Sequence, residues 1–126
     1  MNPKLVTLIP KLIRLGLSKW QVQELLRKYG HLNRSCQLVL YDDTGETKIW
    51  VGIENGEVKV KLGEYPATTT VKMHTDLFID IVKGKTDFRT ALWHGAIEVE
   101  AHDGRPWAYH GLLWAGFWDI VAEILR

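Results

Sequence analysis

Residues 68–104 read TTTVKMHTDLFIDIVKGKTDFRTALWHGAIEVEAHDG. After the Tyr65-Pro66 break, Thr68–His74 is expected as a strand. Thr75 then caps a short helix over Asp76–Lys83, closed by Gly84. Asp76 suits the positive N-terminal end of that helix. Leu77, Phe78, Ile81 and Val82 form its apolar stripe. A second short helix, about Phe88–Trp93, is capped by Thr86 or Asp87 and ended by Gly95. Ala96–His102 alternates, with Ile97 and Val99 facing one way and Glu98 and Glu100 the other, and Asp103-Gly104 turns the chain.

Upstream, the pattern is helices followed by an antiparallel meander. Leu5, Leu8, Leu12 and Leu15 fall at helical spacing over Lys4–Leu15, with a kink or fresh start expected at Pro10. Gly16 ends this helix. Ser18 caps a second one, with Gln21 as capping-box partner. Val22, Leu25, Leu26 and Tyr29 are its apolar face, and Gly30 stops it. Strands are expected over Gln37–Tyr41, Thr47–Glu54 and Glu57–Leu62. Asn55-Gly56 is a strong hairpin signal, because both residues tolerate positive φ. Val58, Val60 and Leu62 alternate with Glu57, Lys59 and Lys61, which buries one face and wets the other.

Downstream, Leu112–Leu125 predicts a helix whose only polar side chains are Asp119 and Glu123, four apart on one face. At ~1.5 Å per residue it spans roughly 21 Å, short of the ~30 Å core of a bilayer. Something must cover it: protein, ligand, a partner chain or a membrane surface.

The 126 residues fit one domain, 1–126, divided into N-terminal helices (1–30), sheet and short helices (36–104) and the C-terminal apolar helix (112–125). The fold class is α+β. The one cysteine, Cys36, excludes an intramolecular disulfide and is expected to be a small buried thiol. The start is broken by Pro10, Lys11 and Arg14 and does not read as a signal peptide, so a cytoplasmic location is expected. Net charge is +1, yet residues 1–35 hold seven Lys/Arg against Glu24 alone. A solvated helix face is the plain reading of that excess; contact with an anionic surface is the sharper one.

Little in the sequence supports catalysis, and no enzyme is expected. His94, His102 and His110 recur every eight residues, but the spacing fits no compact zinc motif. No phosphate-binding loop, dinucleotide fingerprint or nucleophile elbow occurs. No basic strand is interleaved with aromatics, so no nucleic-acid partner is expected. Asp119 and Glu123 are best explained as the polar stripe of a half-buried helix. What stands out is apolar surface. There are six tryptophans, and four of them follow Ala91. Such side chains line a cavity as readily as they fill a core.

The run Thr75-Asp76-Leu77-Phe78, then Val82-Lys83-Gly84-Lys85-Thr86-Asp87, then Ala91-Leu92-Trp93-His94-Gly95-Ala96-Ile97-Glu98-Val99 resembles the type-two sterol carrier protein family. The likeness covers about Gln37 to Gly104. It implies a five-stranded, mostly antiparallel sheet covered by helices. It also implies an apolar tunnel between sheet and helices for fatty acid, fatty acyl-CoA, sterol or another lipid, with no cofactor and no metal. By resemblance the tunnel is lined by Phe78, Ile81, Val82, Leu92 and Trp93, and closed by Trp114, Phe117, Trp118 and Val121. Lys83, Lys85, Arg89 and Arg105 are headgroup candidates. Two departures are Ala101, where the family often has glycine, and the aromatic C-terminal segment. The alternative is a non-catalytic interaction module: Trp93 and Trp118 fill the cavity, and the C-terminal helix packs on a second copy, as a homodimer, or on an enzyme subunit. Transient contact with a membrane surface is a further partner expectation.

Overall fold

The computed structural model describes the backbone at residues 2–17 and 19–126, and the side chains of all of these except 16–22 and 24. The expected single helix over Lys4–Leu15 is instead α1 (Pro3–Val6), α2 (Leu8–Ile13) and a turn of 3-10 helix (Arg14–Leu17). The break falls at Thr7 rather than Pro10. Pro10 becomes the third residue of α2, where its missing N–H costs nothing, because first-turn donors have no partner within the helix. α3 (Lys19–Tyr29) follows. Its expected cap Ser18, and the side chains of Gln21 and Val22, lie outside the described residues. Leu25 and Tyr29 are buried and Leu26 is half-buried, as the helical spacing requires.

The sheet consists of β1 (Arg34–Asp42), β2 (Gly45–Glu54), β3 (Glu57–Leu62), β4 (Thr69–His74) and β5 (Glu98–Ala101). The spatial order is β3-β2-β1-β4-β5. All neighbours are antiparallel except β1 and β4, which run parallel. The meander β1-β2-β3 is set by its turns. Asn55 and Gly56 adopt φ of 51° and 75°, which is what a tight hairpin needs. The chain must then cross from the β3 edge to the far side of β1. Buried polar side chains on β1 hold that crossing. Gln37 donates to the Gly63 carbonyl at 2.9 Å and accepts the Tyr65 N–H at 2.8 Å. Ser35 and Thr68 exchange three hydrogen bonds of 2.8 to 3.0 Å. These bonds satisfy a segment that would otherwise leave buried backbone groups unpaired.

One sheet face is apolar. Cys36, Leu38 and Leu40 of β1, Ile49, Val51 and Ile53 of β2, and Val71 and Met73 of β4 are all buried at alternate positions. The helices α4 (Thr75–Val82), α5 (Phe88–Trp93) and α6 (Trp107–Leu125) complete the core. The α4 cap is His74 rather than Thr75: its Nδ1 accepts the Asp76 N–H at 3.0 Å. Thr75 is buried as the first helical residue and donates to the Tyr41 carbonyl. Asp87 is the α5 cap, accepting the Thr90 N–H at 2.6 Å. The far end of α4 is tied by the last residue of the chain, since Arg126 donates to the Val82 and Ile81 carbonyls. β5 is shorter than the expected Ala96–His102, and α6 starts five residues earlier than the expected Leu112.

α6 is seated by shape and by a polar relay. Gly116 lets Tyr29 approach: a Cβ there would lie 2.3 Å from the tyrosine hydroxyl. The relay runs through Trp114, Thr69, His110 and Asp103. An indole N–H can only donate, so Thr69 Oγ1 accepts it from Trp114 at 3.1 Å. The threonine hydroxyl then turns to Nδ1 of His110, and Nε2–H of His110 donates to Asp103 at 2.8 Å. Each of the four side chains in this relay is thus hydrogen-bonded to the next. Asp103 also faces Arg34 at 3.8 Å and Arg105 at 3.7 Å. Desolvation pushes its carboxyl up, but the Arg105 N–H, His110 and the Arg34 charge outweigh it and hold the carboxyl below the usual carboxylate range.

Replacing Thr69 by Val strands two buried groups, the Trp114 N–H and His110 Nδ1. At about 1–3 kcal/mol per orphaned group, the variant should lose at least about 2 kcal/mol in urea denaturation. A loss under about 0.5 kcal/mol would show that the relay does not hold α6.

Candidate functional site

The structure separates the nine residues expected to line a tunnel into two groups. Phe78, Ile81 and Val82 on α4 and Trp114, Phe117, Trp118 and Val121 on α6 are all buried, none more than 7% exposed. Their rings pack edge to face: Phe78 on Trp118 at 5.9 Å, Trp114 on Phe117 at 4.9 Å, and Phe117 on Trp118 at 5.6 Å between centroids. Among the described side chains, then, these seven pack into the core. Trp118 therefore lies inside the chain and not on a face open to a second copy.

The Trp118 indole N–H has no hydrogen-bond partner among the described residues and lies beside the Cys36 sulfur, which is at best a weak acceptor. Burial pushes the Cys36 thiol up to about 12, the indole N–H pulling the other way. Such a thiol is inert as a nucleophile.

Leu92 and Trp93 lie elsewhere. With Arg89, Trp107, Ala108 and Leu112 they line an open cleft of about 380 Å³ between α5 and the first turns of α6. This falls in the roughly 300–1,000 Å³ range of small-molecule sites. Leu92 forms the tight end: its Cδ2 would be 3.2 Å from a Cβ at Gly111, so the missing side chain lets the two helices close there. Trp93 is 89% exposed, Leu112 66% and Trp107 53%. Among the described residues, Arg89 is the one charged residue on the cleft wall.

The other headgroup candidates are dispersed. Lys83 lies on a smaller cavity of about 230 Å³ with Lys4, Thr7, Leu8, Ile79 and Val82. Lys85 faces Asp80 at 3.9 Å. Arg105 pairs with Asp103 and lies over the Tyr109 ring at 4.8 Å.

Trp107, Ala108 and Leu112 are cleft residues that the sequence reading passes over. The signal is present in Trp107-Ala108, Gly111-Leu112 and Ala115, which continue the helical spacing upstream of Leu112. Pro106 then supplies the non-helical start.

Histidines and carboxylates are spent locally. His102 bonds Thr70 at 2.7 Å, and His94 is exposed just past α5. Among the described residues no cluster of His, Cys, Asp or Glu is arranged to hold a metal ion. No described helix is long and apolar enough to cross a membrane. Asp119 has a positioning role. It accepts the Phe88 N–H at 2.6 Å and the Arg89 N–H at 3.4 Å, fixing the start of α5 against α6. Burial, the largest influence, and the Asp87 charge lift its carboxyl above the usual carboxylate range, and the two N–H groups and the Arg89 charge pull it back.

A raised folded pKa means that the folded state holds the proton longer than the unfolded chain does. The stabilisation is full below the unfolded value of about 3.9 and is lost as pH rises through the folded value. Asp119→Asn removes this titration. The stability of wild type minus variant should therefore fall as pH is raised from about 4 through the folded pKa. A difference that stays flat or rises across that window in urea titrations contradicts the assignment.

No protein-family description and no curated protein matches the sequence. Solved structures do. Sterol carrier protein 2 from Yarrowia lipolytica, in its apo form, matches with TM-score 0.67 and 17% identity, over 98% of this chain and 96% of that one. Palmitated SCP2L2 from Aedes aegypti matches with TM-score 0.64 and 18% identity, over 95% and 92%. The sterol carrier protein domain 2 of Helicoverpa armigera matches with TM-score 0.64 and 16% identity, over 96% and 94%. The five-stranded mixed sheet and its helices thus have the sterol carrier protein type-two fold.

Proposed function

We propose that this chain binds a lipid, with an acyl chain lying in the cleft between α5 and α6. The observation that carries this reading is the cleft itself: Leu92, Trp93, Trp107, Ala108 and Leu112 form its walls, with one cation, Arg89, beside them. That composition matches a ligand with a long apolar body and a single anionic end. The structural likeness to a palmitated protein of Aedes aegypti supports the same class of ligand. Fatty acids and fatty acyl esters fit this description. Lys83, Lys85 and Arg105 stand on other surfaces, so Arg89 is assigned the anionic end.

Rough energetics are sufficient without any chemical step. Each methylene removed from water is worth ~0.8 kcal/mol, so about ten supply ~8 kcal/mol. A charge-assisted bond from Arg89 adds ~2 kcal/mol. Association costs at least ~4 kcal/mol. The balance is then at most ~6 kcal/mol, a Kd of tens of micromolar or weaker.

The test is a fluorescence titration with cis-parinaric acid, together with native mass spectrometry of the protein as purified. Wild type should bind in the micromolar range. Ala108→Glu, which places a carboxylate in the cleft, should weaken binding at least tenfold while leaving the melting temperature nearly unchanged. Arg89→Ala should weaken binding of the acid but not of its methyl ester. A lipid-free mass spectrum with a flat titration would sink the reading.

A further inference from the structure

The sheet face turned away from the helices carries an aromatic corner that lipid binding does not use. Ile49, Val51 and Ile53 of β2 are buried toward the helices, so Trp50 between them faces the other way. Its indole lies along the sheet over Gly52, where any Cβ would come within 2.2 Å of the ring. The indole N–H donates to the Pro66 carbonyl at 3.0 Å. Tyr65 stands against it, with ring centroids 6.2 Å apart and planes at 67°. The Tyr65 backbone is fixed in turn by the buried Gln37, which accepts its N–H and donates to the Gly63 carbonyl. Both rings are therefore held in place by the crossing from β3 to β4. A cation already sits between them. Lys61, directly opposite Trp50 on β3, has its Nζ 5.0 Å from the Trp50 centroid and 5.1 Å from that of Tyr65.

Two rings meeting at a steep angle attract a cation from both sides but offer it no strong hydrogen-bond acceptor. The other lysines of this face have such acceptors: Lys48, Lys59 and Lys72 pair with Glu64, Glu54 and Glu46. Among the described residues Lys61 has no carboxylate within 4 Å and no hydrogen-bond acceptor. Its three N–H donors are left to water, which limits how far the ammonium settles between the rings. A quaternary ammonium has no N–H to satisfy, and its methyl groups add apolar contact with both rings. Lys61 is exposed on a flexible four-carbon stem, so it is free to swing out, and the charge it takes away is replaced by that of the ligand. We propose that Trp50 and Tyr65 form a recognition site for a quaternary ammonium group, with Lys61 as its tethered, displaceable occupant. The site lies across the sheet from the α5–α6 cleft and does not rest on the lipid reading.

The experiment follows the Trp50 indole signal by nitrogen–proton NMR as choline chloride is added, against sodium chloride at the same ionic strength. In wild type the signal should shift saturably at millimolar choline. Lys61→Ala, which empties the corner, should tighten choline binding about threefold. Tyr65→Ala removes one ring but keeps the backbone N–H that Gln37 holds. It should weaken binding at least tenfold with a nearly unchanged melting temperature. Neohexyl alcohol, the uncharged isostere of choline, should bind at least tenfold more weakly than choline, which separates recognition of the charge from apolar contact. A peptide bearing trimethyllysine presents the same group on a protein chain. Tighter binding of the peptide than of choline assigns the ligand to a methylated protein segment, the reverse assigns it to a small molecule, and both uphold the site. The proposal is overturned if neither wild type nor Lys61→Ala responds to choline beyond the salt control. It is equally overturned if the uncharged isostere binds as well as choline, or if Tyr65→Ala binds like wild type.

Discussion

Everything in this fold depends on how α6 is held against the sheet. The helix is apolar on almost every side, and a helix of that kind is stable in water only where its neighbours cover it. Trp114, Phe117, Trp118 and Val121 bury one side against the sheet and α4. Gly116 admits Tyr29 on another. The polar relay from Trp114 through Thr69 and His110 to Asp103 then selects one register among the many that greasy contact alone would allow. Dispersion and hydrophobic burial are non-directional, whereas hydrogen bonds linking the buried Trp114, Thr69 and His110 to Asp103 at the surface are directional.

Phe78, Trp114, Phe117 and Trp118, four of the side chains expected to line a tunnel, pack edge to face with one another where α6 is seated. The apolar surface left over is moved outward, to the cleft where the first turns of α6 diverge from α5. Asp119 serves both roles: it belongs to α6 but caps the first N–H groups of α5, so the same helix that closes the core also sets the cleft width.

Much of this was legible in the residues. β3 begins and ends where its alternation does, and the Asn55-Gly56 turn adopts the positive φ angles its side chains permit. The fold class and the likeness to sterol carrier proteins follow from the order of such local signals. The misreadings have local causes too. Thr75 is a good cap by composition, but His74 precedes it and its ring nitrogen accepts the Asp76 N–H, starting the helix one residue earlier. The start of α6 is obscured by His110 and Gly111, which look like a turn; both are buried, the one by its relay and the other by the approach of Leu92. Trp93 was the most misleading side chain. Phe88 and Ala91 are the buried positions of α5, and a residue five after Phe88 and two after Ala91 points away from that stripe. The family resemblance puts it in a tunnel lining, whereas helical geometry puts it on the cleft wall.

The central claim is that lipid occupies the α5–α6 cleft while the aromatic interior stays closed. Two-dimensional nitrogen–proton NMR of the indole and backbone amides, recorded as palmitate is added, tests it most directly. The account predicts that the indole signals of Trp93 and Trp107 and the amides of Leu92, Ala108 and Leu112 shift together with one saturation curve, while the indoles of Trp114 and Trp118 stay in place. Shifts centred on Trp118, Trp114 and Phe78, with Trp93 and Trp107 unmoved, would contradict it and place the lipid in the core.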